Sequence, residues 1–227
     1  MANVDIPETV LRDSGVSQRY WEFSLTKLKA DPNMMEQYRK CCRFTSAATA
    51  ALKRGMGVCL YGPDTDARRN AFYGVAKALI AQNRSVLCID IEDVIQAHSE
   101  KSELYTRCSK VDLLAFPEMD LPSNMVNNYY KSIIYKLIKK RSGLGKSLLV
   151  ATALEVIHPD FCVDVLFPGV GAYIVEDTLL VNFDETNQCE WLRKGHKMNM
   201  ASLMREPSEI VKKARKPRKV NFKKKKT

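Results

Sequence analysis

Gly57-Val58-Cys59-Leu60-Tyr61-Gly62-Pro63-Asp64-Thr65-Asp66-Ala67-Arg68-Arg69 reads as a short apolar strand, a turn and the opening of a helix. A strand, then G-x-x-x-x-G-K-[ST], then a helix is the arrangement that wraps backbone N–H groups around phosphates, with Lys and Ser/Thr serving the terminal phosphates and Mg²⁺. Position and length fit that template here. The chemistry does not: Ala67 stands at the second glycine, Arg68 at the lysine and Arg69 at the hydroxyl residue, while Asp64 and Asp66 bring carboxylates to the loop. A carboxylate ~4 Å from a phosphate repels it by about 4 kcal/mol at an effective dielectric of 20. Thr65 or Asp66 would suit the N-cap of a helix opening at Ala67. A carboxylate there is expected to occupy the positive helix end itself and so plug the site.

Working outward, four more runs rich in Val, Ile, Leu and Cys have strand length: Val86–Ile91, Val111–Phe116, Leu148–Leu154 and Thr178–Phe183. Helical spacing separates them, over Ala67–Ala81, Glu92–Cys108, Asn124–Arg141 and Pro159–Leu166. Continuous apolar character, rather than alternation, means that both faces of the sheet are covered, so the fold class is α/β: a parallel five-stranded sheet with flanking helices. Asn33–Arg54 reads as a further helix, and Trp21, Leu25 and Leu28 as a shorter amphipathic element before it. The expected organisation is a helical lead-in over 1–56 packing on the core, an α/β core over 57–206 and a disordered basic tail over 207–227.

The chain has 227 residues, 45% of them hydrophobic and 27% charged, enough for one domain with a full core. Its net charge of +10 lies wholly in the tail, because residues 1–210 carry 26 groups of each sign. The ten cations are Lys212, Lys213, Arg215, Lys216, Arg218, Lys219, Lys223, Lys224, Lys225 and Lys226. Such a polycation binds a phosphate backbone without reading sequence, and six contacts would give log K a slope of roughly −5 against log salt. With the folded part neutral by count, the tail is the only strong attraction to DNA that the sequence reveals.

Other chemistry is thinly represented. The seven cysteines are an odd number with no C-x-x-C, and several lie in apolar runs, so reduced, buried thiols are expected. His98, His158 and His196 are scattered without partners at ligand spacing, and no metal site is expected. No apolar run approaches a membrane span, and the opening residues lack a basic stretch followed by an apolar one. Gly143-Leu144-Gly145-Lys146-Ser147 imitates the end of a phosphate loop but lies between a helix and a strand, the wrong order, and reads as a surface turn.

Taken with the sheet pattern, Ile6-Pro7-Glu8, Leu60-Tyr61-Gly62-Pro63, Ser85 to Val94, Val111 to Glu118 and Ser147 to Ala153 resemble the DnaC/IstB group of AAA+ ATPases, which load replicative helicases or assist transposases. The resemblance implies a catalytic set that is eroded here. Pro117 stands where the Mg²⁺ carboxylate belongs, leaving Glu118 as the remnant of the acidic pair, and Ala153 falls at the polar sensor. No Arg or Lys lies between Lys146 and Arg193, where the group carries its arginine finger. Since this catalysis is almost wholly electrostatic positioning, the resemblance implies a fold kept without hydrolysis. No cofactor is expected, and ATP with Mg²⁺ enters only if the degenerate loop still binds. The implied partners are DNA and a replicative helicase or another replication or recombination protein, in a homo- or hetero-oligomer. Tyr20, Trp21 and Phe23 are candidates for the helicase contact, although aromatics covering the sheet edge is the plainer reading. The implied setting is cytoplasmic and nucleoid-associated, in a phage or mobile element. A divergent live ATPase using Arg68, and a transposition helper that binds DNA and a transposase, are the alternatives.

Overall fold

The computed structural model describes residues 5–25, 34–62, 66–119, 128–152 and 178–182. The chain divides into two compact units, Met1–Cys189 and Glu190–Thr227, and the second lies outside the described residues. The expected helix over Pro159–Leu166 and the basic tail also lie outside them.

Five strands, β1 (Gly57–Tyr61), β2 (Val86–Cys88), β3 (Leu113–Phe116), β4 (Ser147–Thr152) and β5 (Thr178–Asn182), form one sheet in the order β2-β3-β4-β1-β5. Every pairing is parallel, with Val58 opposite Leu149 and Leu179, and Leu114 opposite Leu87 and Leu148. A parallel sheet needs a crossover between neighbours, and the apolar runs are spaced to allow a helix in each of the first three gaps. Those helices are α4 (Asp66–Ile80), then α5 (Ile91–Ser99) with α6 (Glu103–Lys110), then α7 (Asn128–Gly143). Ahead of the sheet come α1 (Glu8–Asp13), a 3₁₀ turn (Gln18–Tyr20), α2 (Met35–Ser46) and α3 (Ala48–Lys53).

One face of the sheet, with Val58, Leu60, Cys88, Leu113, Ala115, Leu149 and Ala151, shares a core with Ala71, Phe72, Val75 and Leu79 of α4, Cys41 and Phe44 of α2, and Leu11, Val16 and Leu25 of the N-terminal segment. The alternate residues Cys59, Leu87, Leu114, Phe116 and Val150 are also buried, together with Val94, Cys108, Ile133 and Leu137 of α5 to α7. Both faces are therefore covered, which is why these strands read as unbroken apolar runs.

Four expected elements are shorter or divided, among them the run Val111–Phe116, which gives a strand only from Leu113. The run Val86–Ile91 gives a strand only to Cys88, because Ile91 is the first buried residue of α5 and an apolar residue looks alike in either role. The stretch Glu92–Cys108 is two helices, since Lys101 adopts a left-handed φ of 52° and Ser102 restarts the chain as the N-cap of α6. Asn33–Arg54 likewise divides at Ala47 into α2 and α3.

The N-terminal segment is tied across β2 and α4. Cys88 N–H donates to Ser14 O at 2.8 Å, and a Cβ on Gly15 would meet Cys88 O at 2.0 Å, so only glycine permits this approach. Tyr20 stacks on Tyr73 at 4.2 Å, and Lys77 Nζ donates to the carbonyls of Trp21 and Phe23. Tyr20 is buried and Trp21 and Phe23 are half-buried against the core, which matches aromatics covering the body rather than an open contact surface.

Candidate functional site

In a parallel sheet the strands' C-terminal ends lie on one edge, and here they bring the sequence-selected Glu118 and Gly62 together with Asp90 and Thr152, in the order Asp90, Glu118, Thr152, Gly62. Gly62 follows β1 with a φ of 114°, a left-handed value that favours glycine and turns the chain from strand to loop. Tyr61 and Thr152 are register partners, so the ends of β1 and β4 are level. Met119 N–H donates to Ala151 O at 2.8 Å, holding Pro117 and Glu118 beside the end of β4. Glu118 is exposed. Pro63, Asp64 and Thr65 in the loop, and Ala153 at the expected sensor, lie outside the described residues.

The helix after the loop settles how its charges are used. The buried residues of α4 are Arg68, Ala71, Phe72, Gly74, Val75, Ala76, Leu79 and Ile80, and all but Gly74, which lies under Leu25, follow the i, i+3, i+4 stripe of a core-facing helix side. Arg68 heads that stripe and is 1% exposed. Its Nη1 donates to Gly62 O at 2.6 Å, so the side chain standing at the lysine position turns back onto the loop's own backbone. A cation near a helix N-terminus is opposed by the macrodipole by about 0.3–1 kcal/mol, and the charged hydrogen bond to Gly62 offsets it. Asp66, by contrast, is exposed and pairs with Arg19 at 3.1 Å. The expectation that Asp66 plugs the helix end is therefore wrong: the inward group is Arg68. The half-turn between the two positions places one on the solvent side and the other on the core side.

Two groups here escaped sequence reasoning. Thr152, 1% exposed, is a buried polar side chain at the end of β4. Asp90 follows β2 at the N-cap of α5. Burial pushes its carboxyl above the ordinary range, and Asp93 and Glu92 add to the shift. Among the described residues no group of His, Cys, Asp and Glu is placed to hold a metal ion. The five described cysteines are free, and burial pushes the Cys41 and Cys88 thiols up to about 12.

The opposite edge, at the strands' N-terminal ends, is organised by Arg141. Its guanidinium is fully buried and donates to Cys108 O at 2.6 Å, Val111 O at 3.1 Å and Ser147 O at 2.6 Å. Burial lowers its pKa to about 10. Lys146, from the stretch that imitates a phosphate loop, pairs with Asp112 at 2.8 Å, and Asp112 accepts from Ser85 Oγ at 2.8 Å. That stretch is a helix-to-strand turn with a structural lysine.

By sequence alone the chain matches no protein-family model and no curated protein. Its fold does match solved structures. The DnaC helicase loader superposes with a TM-score of 0.61 at 15% identity, over 74% of this chain and 100% of that one. DnaI gives 0.56 at 14%, over 79% of this chain and 92% of that one. A replication initiator, DnaA bound to AMPPCP and single-stranded DNA, gives 0.55 at 13%, over 73% of this chain and 50% of that one. At 15% identity or less, this likeness shows the fold: the chain has the α/β fold of the DnaC helicase loader structure and of DnaI.

Proposed function

We propose that this chain is a DNA-replication accessory protein that acts by binding, joining DNA to a replicative helicase or related protein on an AAA+ scaffold that does not hydrolyse ATP. The observation that carries the reading is Arg68: the one cation at the lysine position is buried and bonded to Gly62 O. With Pro117 at the metal carboxylate, Glu118 has no acidic neighbour in sequence with which to hold Mg²⁺, and no cofactor is required. The DNA attachment is assigned to the cations from Lys212 to Lys226, as a tail over 207–227 following a lead-in over 1–56 and a core over 57–206. The fold likeness to a helicase loader, and to an initiator solved with single-stranded DNA, supports the replication setting.

The test is affinity purification of the tagged chain from its native cells after nuclease treatment, with mass spectrometry of what stays attached. A replicative helicase is expected. Recovery of a transposase, or of nothing once DNA is digested, would overturn the helicase half of the reading. A second reading, a divergent ATPase, is favoured by the same Arg68, since it stands where a phosphate-binding lysine would. Saturable calorimetric binding of ATP, lost on Arg68→Ala, would establish it.

A further inference from the structure

The folded part is neutral by count, yet the fold sorts its charges. Parallel topology sends the last turn of each crossover helix, and the turn after it, to the strands' N-terminal edge. Those segments are Ala81–Ser85, Lys110–Asp112 and Lys139–Lys146, joined by Lys53–Met56, which leads from α3 into β1. Between them they hold eight basic residues and one carboxylate, Asp112. On the other edge the described charges include Asp66, Asp90, Glu92, Asp93 and Glu118, set against Arg69, Arg68, which is buried on Gly62 O, and Arg19, which pairs with Asp66. A count of charge along the chain averages this separation to nothing.

The four turns make one rim. Leu113 N–H donates to Ser85 O and Ser147 N–H to Asp112 O, both at 3.1 Å, joining the approaches to β2, β3 and β4. Gly55 lies against Gly145, where an added Cβ would stand 3.2 Å from its backbone, and Arg84 donates to Thr49 Oγ1 at 2.6 Å, which adds the approach to β1. Arg141 threads between the last turns of α6 and α7, bonding Cys108 O and Val111 O, so Lys110 and the pair Lys139 and Lys140 flank it. All three lysines are exposed. The surface lies on the β2, β3 and β4 side, where the described turns carry Lys110, Lys139 and Lys140.

Basic residues at helix C-termini ordinarily answer the macrodipole. Here that duty is discharged at α6 by Arg141, which takes its terminal carbonyls, and Asp112 is already occupied by Lys146 and Ser85. Lys110 is thus surplus at α6, while Lys139, whose Nζ lies 5.8 Å from the Tyr135 ring centroid, and Lys140 stand at the exposed end of α7, and like charges gathered on one edge repel one another. A polyanion relieves that repulsion and releases counterions.

We propose that this edge is a second, sequence-independent nucleic-acid surface, in which Lys110, Lys139 and Lys140 contact phosphates independently of the tail. The proposal rests on the reading above that the protein works on DNA. Anisotropy of a labelled 30-nucleotide single strand and a 30-base-pair duplex, titrated with the full chain across a salt series, tests it. Two variants are compared with the parent: Lys110→Gln/Lys139→Gln/Lys140→Gln, and a full-length chain with the ten tail cations changed to Gln. Three lost contacts lower the magnitude of the log K against log salt slope by about 2 on single strands and about 2.7 on duplex. Affinity falls at least about ten-fold, and the losses recur when both sets of changes are combined. Unchanged slopes in a triple variant that melts like the parent would overturn the surface while leaving the DNA reading intact. Failure of the parent to bind either oligonucleotide would overturn both. Polyglutamate competing as well as single-stranded DNA would assign the edge to an acidic protein and also refute the proposal.

Discussion

Replacing Arg68 by alanine separates a structural arginine from a nucleotide ligand. In the folded chain the guanidinium is 1% exposed and its Nη1 lies 2.6 Å from Gly62 O. Removing it takes away one charge-assisted hydrogen bond of about 1.5–3 kcal/mol and leaves a buried carbonyl at the end of β1 without this donor. For a domain of this size each kcal/mol moves the melting temperature by about 2–4 °C, so Arg68→Ala is expected to melt about 3–12 °C below the parent. Thermal unfolding followed by circular dichroism reads this directly, and the same scan with 1 mM Mg-ATP reads the alternative. A ligand present at 100 times its Kd stabilises by about 2.7 kcal/mol, a rise of roughly 5–11 °C. The expected result is a destabilised Arg68→Ala and a parent whose melting Mg-ATP does not move. An Arg68→Ala protein as stable as the parent, together with an ATP-dependent rise that only the parent shows, would refute the reasoning.

Four further outcomes follow from the contacts and charges of the folded chain. Arg141→Met leaves the carbonyls of Cys108, Val111 and Ser147 without their shared donor and is expected to lose about 3–5 kcal/mol in urea unfolding. Lys77→Met frees the carbonyls of Trp21 and Phe23 and is expected to raise amide exchange over residues 14–25 before that of the sheet, with a loss of about 1–3 kcal/mol. Asp112 is raised by burial but lowered more strongly by hydrogen bonds from Lys146 and Ser85, so its folded pKa lies below its unfolded one. Its contribution is present above the unfolded pKa of about 3.9 and is lost as pH falls through the lower folded value, so Asp112→Asn is expected to be less stable than the parent at pH 7 and to converge with it as acid unfolding proceeds below that unfolded pKa. Asp90 runs the other way, its folded pKa being raised by burial and by Asp93 and Glu92, so Asp90→Asn is expected to gain stability at pH 7 and to lose that gain below about pH 4.

The fold was legible where one physical signal dominated. Gly57–Tyr61 is apolar at every position bar its glycine and ends at Gly62, and β1 has those bounds. The stripe through Phe72, Val75 and Leu79 marks α4, and extending it one turn back already places Arg68 on the core side, a signal the plug reading passed over. Ser102 before Glu103 is an ordinary N-cap pattern, yet continuous helical spacing across Ser99–Ser102 hides the left-handed Lys101. Less of the site could be read. Thr152 is one polar residue at the end of an apolar run, and its burial follows from β4 lying between β1 and β3, which is a property of strand order. The two charged edges depend on the same order, because net charge along a chain says nothing of which turns a parallel sheet gathers together.

The proposed function requires that the folded body bind its partner without a nucleotide cycle. The most direct measurement is the affinity of the purified chain for the replicative helicase of its own cells, by calorimetry, without nucleotide and then with Mg-ATP and with a non-hydrolysable analogue, alongside phosphate release in the same mixtures. The account predicts one complex of unchanged affinity in all three conditions and no phosphate release above that of the helicase alone. A complex that forms only with Mg-ATP and turns over phosphate that Arg68→Ala abolishes would contradict it.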